Sequence, residues 1–483
     1  MPSSLLRSTS LREKRFTENK DKPLVVKAPK NPERKKCMKI TFILPAIGKK
    51  SGQKYLRSWL MEPLTIAVLN SMIPDSYERE FFDDRIENIN YETETDIVFI
   101  TVETYTAKRA YFIASEFQKR GKKVIMGGYH VTLCPEEATE HADAIMVGNA
   151  DRIISTVLAD LEAGELKKRY DGGACIMYKM PDRSIYENKM KKYLPVSLVE
   201  TGRGCYHNCE FCSIAGYYHQ RYLHREVADI IAEIKACKHK IFFFVDDSIF
   251  SDKAFAKELF EELKKLNIIW TTQITLDIAR DEEMLRLMKE SGCEMVLIGF
   301  ESIESDNLKQ MNKGWTERLG EREALIQKIH DVGIGIYASF VFGFDSDNED
   351  TFKATLEFCE KHQFFVVAFN HLLIFPNTKT YESFKADGRL VSEKWWLENG
   401  YTFGTVTFNP KQITAEHLRA CCKGYRKKYF SFSSIFRRGR TMHKRSKGFL
   451  INFAYWVINI IFHFEIDKRF GIPIGENLEE RKK

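Results

Sequence analysis

Three cysteines stand within eight residues of one another, in the stretch GRGCYHNCEFCSI that spans 202–214. Cys205, Cys209 and Cys212 have the spacing C-x3-C-x2-C, and cysteine thiolates select zinc, copper(I) or iron–sulfur clusters. A structural zinc ion needs four ligands, and His207 is a candidate fourth ligand, although its place between two cysteines would strain the loop. A four-iron cluster bound by three cysteines would instead leave one iron open for chemistry. The spacing alone allows either kind of metal site.

The cysteine loop follows an apolar segment that begins a series of predicted strands. Helical patterns separate these strands, which is the order of a parallel βα protein. Six strands are too few for the closed eight-stranded barrel, so they indicate a partial (β/α)6 barrel with functional residues at the carboxyl ends of its strands. The predicted strands span 195–204, 240–248, 268–274, 294–302, 333–344 and 364–375.

The amino-terminal half contains an earlier βα series, which predicts a doubly wound, Rossmann-like sheet. Ligands of such sheets bind beyond the carboxyl ends of the strands. Gly127 and Gly128 follow one predicted strand and Gly148 ends the next, and glycines let a backbone approach a ligand closely, although a plain turn explains them equally well. The predicted strands span 40–46, 79–84, 96–102, 122–128 and 143–148.

The cysteine motif in its strand–loop context resembles that of the radical S-adenosylmethionine (SAM) superfamily, C-x3-C-x-Φ-C, with Phe211 as the aromatic residue Φ. The resemblance implies an enzyme in which Cys205, Cys209 and Cys212 hold a 4Fe–4S cluster. The open iron of that cluster would chelate the amino and carboxylate groups of SAM. Reductive cleavage of SAM would then give a 5′-deoxyadenosyl radical. An external electron donor such as flavodoxin or ferredoxin is implied as well.

The same resemblance implies SAM contacts at the ends of the later strands. Asp246 would meet the amino group, although Asp246–Asp247 stands where other members carry Gly-Gly-Glu. Glu301 and Ser302 would contact the SAM carboxylate or ribose. Gly343 would lie close to adenine, although its segment also fits a strand followed by a capped helix. The implied set is completed by the Phe211 backbone on adenine and by Gln273 at the mouth of the active site.

The segment VIMGGYHVTLCPEEATEHADAIMVGNAD (124–151) resembles the cobalamin-binding domain of one large radical SAM subfamily, and the resemblance extends over about 39–390. It implies cobalamin binding and, as the leading reaction, cobalamin-dependent methylation of an unactivated carbon. Radical cyclisation or C–C coupling is the alternative reaction, and a non-enzymatic metal- or cobalamin-binding module is the alternative to an enzyme. The residues implied to line the nucleotide tail are Thr104, Thr106, Gly127, Gly128 and Gly148.

The first loop of this domain departs from the classical cobalamin pattern. Classical domains carry Asp-x-His-x-x-Gly after the first strand, whereas this chain reads AIGKKSGQKYLRSW. No histidine stands there, so we predict that no protein imidazole ligates cobalt from this loop.

Charge and composition exclude some classes of protein. The formal net charge is +7, and residues 1–36, with eleven Lys or Arg and four Asp or Glu, account for all of it. The rest of the chain is near neutral, which argues against a nucleic-acid-binding protein. The amino terminus lacks the apolar segment of a signal peptide, which predicts a cytoplasmic protein with reduced thiols. The predicted boundaries are a disordered basic tail (1–38), the Rossmann-like domain (39–165), a connector (166–190), the barrel (191–390) and a helical carboxyl-terminal region (391–483).

The carboxyl-terminal region contains the longest apolar run of the chain, GFLINFAYWVINIIFHF (448–464). Its polar residues Asn452, Asn459 and His463 fall near one helical face, which favours an amphipathic helix over a membrane span. The basic run 437–447 precedes it, and a basic segment beside an aromatic helix suits an anionic membrane surface. We therefore predict peripheral contact of 437–464 with the inner face of the membrane and a small-molecule substrate that is a lipid or otherwise hydrophobic. A core helix that closes the barrel is the alternative.

Overall fold

The computed structural model describes residues 37–177, 179–319, 322–445 and 448–477. Nearly all of the predicted basic tail, and the last two residues of the predicted basic run, lie outside these ranges. Residues from Met38 onward form one compact unit. Both predicted βα series are confirmed as parallel sheets, so the α/β class is correct.

The amino-terminal sheet has six parallel strands in the order β2-β1-β3-β4-β5-β6. Its central strand β3, IVFIT, is buried along its whole length, as expected for a parallel strand covered on both faces. The elements are β1 (Lys39–Leu44), α1 (Leu64–Met72), β2 (Glu78–Asp83), β3 (Ile97–Thr101), α2 (Ala107–Gln118), β4 (Lys123–Gly127), α3 (Tyr129–Leu133), α4 (Pro135–His141), β5 (Ala144–Gly148), α5 (Ile154–Ala163) and β6 (Arg169–Gly173).

Strand β6 lies in the segment 166–190, for which the sequence predicted a connector. It pairs only with β5 and is buried at alternate residues, so its sequence RYDGG carries the polar residues of an edge strand. A 3-10 helix over Arg183–Lys192 follows it, and the Lys189 ammonium donates to the Phe81 carbonyl of β2. The segment therefore packs on the amino-terminal sheet.

The second sheet also has six parallel strands, in the order β14-β13-β12-β11-β10-β7. Each strand lies beside its predecessor in the series, which is the order of a partial barrel. The elements are β7 (Ser197–Val199), β8 (Gly202–Gly204), α6 (Ser213–Tyr218), β9 (Tyr222–His224), α7 (Val227–Ala236), β10 (Ile241–Phe244), α8 (Lys253–Leu263), β11 (Ile269–Ile274), α9 (Glu282–Glu290), β12 (Cys293–Glu301), α10 (Ser305–Gln310), α11 (Arg322–Asp331), β13 (Gly335–Phe342), α12 (Glu349–His362) and β14 (Val366–His371).

The carboxyl-terminal region closes the barrel beyond β14. It comprises α13 (Lys379–Ala386), α14 (Ala415–Tyr429), α15 (Phe432–Arg445) and α16 (Phe449–Arg469). The buried Trp396 indole donates to Glu137 of α4, and one continuous apolar core contains side chains of both sheets and of these helices. None of the helices that the structure describes is long and apolar enough to cross a bilayer.

Two residues of the predicted polar face of helix α16 pack against the protein. Asn459 is fully buried and donates to the Phe365 carbonyl, and the His463 ring lies 2.7 Å from the Phe430 carbonyl. Arg438, inside the predicted basic run, is likewise buried, with its guanidinium 3.9 Å from the Tyr429 ring centroid. The exposed side of α15 and α16 also carries large apolar side chains, which we call the C-terminal apolar patch: Phe432, Phe436, Phe453, Val457, Ile460 and Phe464.

Candidate active site

The three cysteines lie in the loop between the antiparallel strand β8 and helix α6, at the carboxyl end of β7. All three are unpaired thiols and partly exposed, and the His207 backbone N–H donates to the Cys205 sulfur at 3.4 Å. Burial raises the pKa of the Cys209 thiol to about 12 and also raises the pKa values of Cys205 and Cys212. Forming three thiolates here is therefore costly unless positive charge accompanies them, which the irons of a cluster would supply.

The described residues do not bring His207 together with the cysteines around one metal ion. The His207 ring stacks on Trp315, with centroids 4.3 Å apart and planes 6° from parallel, and burial lowers its pKa to about 4. Among the described residues, no three His, Cys, Asp or Glu side chains converge on a single metal ion. A cubane cluster does not need that convergence, because each thiolate binds its own iron. The residues present thus fit the cluster.

Two of the predicted SAM contacts lie at the end of β12. The Glu301 carboxylate accepts from the Lys313 ammonium at 2.9 Å, and Glu301 has a positive φ of 61°, which is unusual for a side-chain-bearing residue. Ser302 is buried and accepts from the Glu304 backbone N–H at 3.0 Å, at the start of α10. Lys313, which sequence reasoning did not single out, lies close enough to Cys209 to favour its thiolate. The pattern LKQMNKG after β12 was the available signal.

A cavity lies between the amino-terminal sheet and helix α6. Asp247 lines this cavity, whereas its neighbour Asp246 does not. Its buried carboxylate accepts from the backbone N–H groups of Thr201 and Gly202 at 2.7 and 3.2 Å, and from the Thr201 hydroxyl. Desolvation raises the pKa of Asp246 to about 7. These hydrogen bonds give Asp246 a role in positioning the start of the cysteine loop. Its contact with the SAM amino group stays a prediction.

This role leads to a prediction for Asp246→Ala. The substitution leaves two buried backbone donors without an acceptor, and we expect it to lower the free energy of unfolding by about 2 kcal/mol, measured by urea denaturation. Asp246→Asn retains one acceptor oxygen and should lose less. Iron content should fall in parallel with stability. Unchanged stability together with a raised KM for SAM would contradict this role and favour direct SAM contact.

The remaining predicted SAM contacts fall into different surroundings. Gln273 is exposed at the end of β11, and its amide donates to the Asp247 carbonyl at 3.3 Å. Gly343 has a φ of 113°, and a Cβ there would lie 2.6 Å from the Phe408 ring, so the carboxyl-terminal region packs against it. Asn348 caps α12 with its side chain, which agrees with the strand-and-capped-helix alternative. The Phe211 ring packs edge-on against Phe344 and lines a second cavity.

A cavity of about 320 Å³ lies between the carboxyl edge of the amino-terminal sheet and helix α6. Gly127, Gly128 and Gly148, which are predicted to line the nucleotide tail of cobalamin, line this cavity. Thr104 and Thr106 do not: the Thr104 hydroxyl lies 3.3 Å from the His130 ring, and the Thr106 hydroxyl accepts from the Glu103 backbone at 2.9 Å. Leu69 of α1, Glu103 and Tyr217 of α6 also line this cavity.

Glu103 and Tyr217 were missed from the sequence. Glu103 follows β3 and lines this cavity, and desolvation by the surrounding protein raises its pKa to about 7. The Tyr217 hydroxyl lies against Gly148, where a Cβ would approach it to 2.3 Å. That hydroxyl is buried near the Asn149 backbone, but none of the described residues forms a hydrogen bond of ordinary geometry with it. A polar group of a ligand in the cavity would satisfy it, so the wall fits a cofactor with a polar periphery such as cobalamin.

Comparisons with known proteins agree with this geometry. The family profile described as the radical SAM superfamily matches residues 199–359, which include the cysteine loop. Bacteriochlorophyllide d C-12(1)-methyltransferase from Chlorobaculum tepidum is 28% identical over 414 residues, or 83% of this chain and 88% of that protein.

Two solved structures share the fold. The radical SAM methyltransferase TsrM from Kitasatospora setae, with cobalamin and a 4Fe–4S cluster bound, has a TM-score of 0.58 at 16% identity, covering 72% of this chain and 78% of that one. The cobalamin-dependent SAM radical enzyme OxsB has a TM-score of 0.61 at 13% identity, covering 89% and 72%. At these sequence identities, the similarity indicates a shared fold, which includes both sheets.

Proposed function

This chain belongs to the radical SAM superfamily, and on that premise we propose that it is a cobalamin-dependent methylase acting on an unactivated carbon of a hydrophobic small molecule. Cys205, Cys209 and Cys212 would hold the cluster, and the cavity between Gly148 and Tyr217 would hold part of the cobalamin. The observation that carries the proposal is this cavity, because it joins the glycine-rich edge of the amino-terminal sheet to the helix that directly follows Cys212.

Cobalamin would supply a methyl carrier beside the cluster. Balance then requires two molecules of SAM for each methyl group: one gives up its methyl group and leaves S-adenosylhomocysteine, and the other is cleaved to methionine and 5′-deoxyadenosine. The electrons come from an external one-electron donor such as flavodoxin or ferredoxin. Glu103, Tyr217 and the three glycines would position the corrin periphery, and no described residue of the cavity wall is a histidine.

Methyl transfer is favoured over cyclisation or coupling by the relatives. The relative from Chlorobaculum tepidum is a bacteriochlorophyllide methyltransferase, and TsrM is a methyltransferase. Purification with cobalamin supplied, followed by absorbance, tests the proposal: we expect one equivalent bound, with no histidine nitrogen coupled to cobalt in the EPR spectrum of the Co(II) form. An active protein free of cobalamin would instead favour cofactor-free cyclisation or coupling.

A membrane-bound substrate is supported by the C-terminal apolar patch. Its ring-bearing and aliphatic side chains project outward from α15 and α16, and the exposed Arg440 guanidinium lies 4.7 Å from the Phe436 ring centroid. Large apolar side chains beside exposed cations suit an anionic bilayer surface. The protein would dock there to reach a substrate that does not leave the bilayer.

Liposome flotation tests this docking. Vesicles of phosphatidylcholine with phosphatidylglycerol should carry the protein upward at low salt. The double variant Ile460→Ser/Phe464→Ser should bind at least about tenfold less, because each buried apolar side chain contributes about 1.5–3 kcal/mol. Val391→Ser, which removes an exposed apolar residue outside the patch, is the matched control. Wild-type protein that stays below the vesicles, or equal flotation of the double variant, would contradict docking. Point substitutions are preferable to truncation because Arg438 and Asn459 belong to the core.

A further inference from the structure

A second cavity, of about 210 Å³, opens at the carboxyl ends of β13 and β14 beneath helix α14. Phe211 lines one side of it, so the cavity reaches the loop between Cys209 and Cys212. Most of its wall is aromatic or aliphatic: Tyr105, Phe211, Val341, Phe369, Leu372, Leu373, Phe375, Phe403 and Phe470. Such a wall favours a ring-bearing apolar guest.

One cation interrupts this apolar wall. Arg426 of α14 is only 7% exposed, and its Nη2 donates to the Phe369 carbonyl at 3.0 Å and to the Asn370 side-chain oxygen at 2.7 Å. Among the described residues, its Nε has no hydrogen-bond partner and no carboxylate lies within ion-pair distance of the guanidinium. Burial and the nearby Arg469 both lower the pKa of Arg426. An unpaired buried cation is costly, so a missing anion is the simplest explanation.

The groups around Arg426 fix the charge of that anion. Arg469 has its own partner, the Glu465 carboxylate at 3.6 Å. His371 also lines the cavity, and burial, followed by Arg426 and Arg419, lowers its pKa to about 4, so the imidazole is neutral at pH 7. Its Nε2 has no hydrogen-bond partner in the described part of the chain. Arg426 is therefore the one cation among the described residues that lines the cavity, together with one neutral imidazole. Arg419 lies outside the lining, where its guanidinium donates to the Thr402 hydroxyl at 3.1 Å.

We propose that this cavity is the substrate pocket and that it takes a ring-bearing apolar molecule with one carboxylate, which pairs with Arg426 and is also within reach of His371. The inference rests on the proposed function for the reaction that occurs there, and it adds the chemical class of the substrate. A monoanion matches one guanidinium, whereas a phosphate dianion would leave a buried charge unpaired. Phe470, which directly follows α16, lines this pocket.

Equilibrium dialysis with a matched pair of probes tests the pocket. Anthracene-2-carboxylate and the uncharged anthracene-2-carboxamide share a ring system and differ in charge. The cluster-reconstituted full chain should bind the carboxylate at least tenfold more tightly than the amide, as expected for a charge-assisted pair. Arg426→Gln should abolish this preference, and Arg426→Lys should keep part of it. Lys423→Gln removes a charge from the surface of the same helix, where Lys423 pairs with Asp467, and should change nothing.

Two further measurements keep the outcomes distinct. Leu373→Trp fills the cavity and should weaken binding of both probes at least tenfold. This test of the cavity leaves Arg426 unchanged. Formation of 5′-deoxyadenosine from SAM, measured on the same preparations, reports the proposed function separately. Normal SAM cleavage without a carboxylate preference overturns the pocket assignment alone. A wild-type preference that survives in Arg426→Gln, or tight binding of both probes by Leu373→Trp, also overturns it.

Discussion

Replacing any one of Cys205, Cys209 or Cys212 by alanine should reduce reductive cleavage of SAM by more than about 100-fold, a loss larger than that caused by changing residues that merely support metal ligands. The three thiols belong to one exposed loop between β8 and α6, and each would hold a different iron. The measurement is 5′-deoxyadenosine formed per protein after anaerobic reconstitution. Iron and sulfide content should fall with it, while the fold is retained, since none of the three is part of the apolar core.

Cys421→Ala is the matched control for this series. Cys421 is buried on α14 and packs in the apolar core, and it is not part of the cysteine loop. Its loss should leave SAM cleavage within about twofold of wild type, because only a small side chain is shortened. Normal cleavage by any of the three loop variants would refute the cluster assignment, and dependence on Cys421 would indicate a further catalytic thiol.

Leu69→Trp should abolish cobalamin binding while leaving SAM cleavage unchanged. Leu69 lies on α1 and lines the first cavity opposite the glycines, so an indole there occupies the space of the ligand. Overpacking costs about 1–3 kcal/mol, which this long chain should tolerate. The readouts are bound cobalamin by absorbance and 5′-deoxyadenosine from SAM.

Phe112→Trp provides the comparison for Leu69→Trp, because Phe112 is exposed on the outer side of α2 and the added bulk meets solvent. It should bind one equivalent of cobalamin. If Leu69→Trp also binds one equivalent, cobalamin lies elsewhere and the first cavity has another occupant.

Local sequence patterns were sufficient to predict both sheets, and the assignment of the cluster ligands, which stays a prediction, rests on a local pattern as well. The cysteine spacing is contained in eight residues, and apolar runs such as IVFIT are unambiguous in a buried parallel strand. Strand β6 was not predicted because its edge-strand sequence, RYDGG, is polar and contains two glycines. Hydrophobic periodicity identifies buried strands, but it does not identify edge strands that have polar sequences.

The orientation of side chains could not be predicted in the same way. Asp246 and Asp247 are neighbours, yet one binds the Thr201 backbone and the other lines the first cavity. Arg426 is more than 200 residues from the cysteine loop, and only the packing of α14 on β14 brings it to the second cavity. Asn459 contributed to the predicted polar face of α16. The structure buries Asn459, and its side-chain amide donates to the Phe365 carbonyl.

Isotope transfer from CD3-labelled SAM is the most direct measurement of the central claim, that this chain joins SAM cleavage to methylation of a hydrophobic molecule. The reconstituted protein, with cobalamin and a one-electron reductant, would be incubated with an organic-solvent extract of cells that lack the gene. We expect a new product in which one CD3 group replaces one hydrogen, with S-adenosylhomocysteine and 5′-deoxyadenosine released in equal amounts. Release of 5′-deoxyadenosine with an altered but unlabelled product, and without S-adenosylhomocysteine, would contradict methyl transfer and assign the chain to radical cyclisation or coupling.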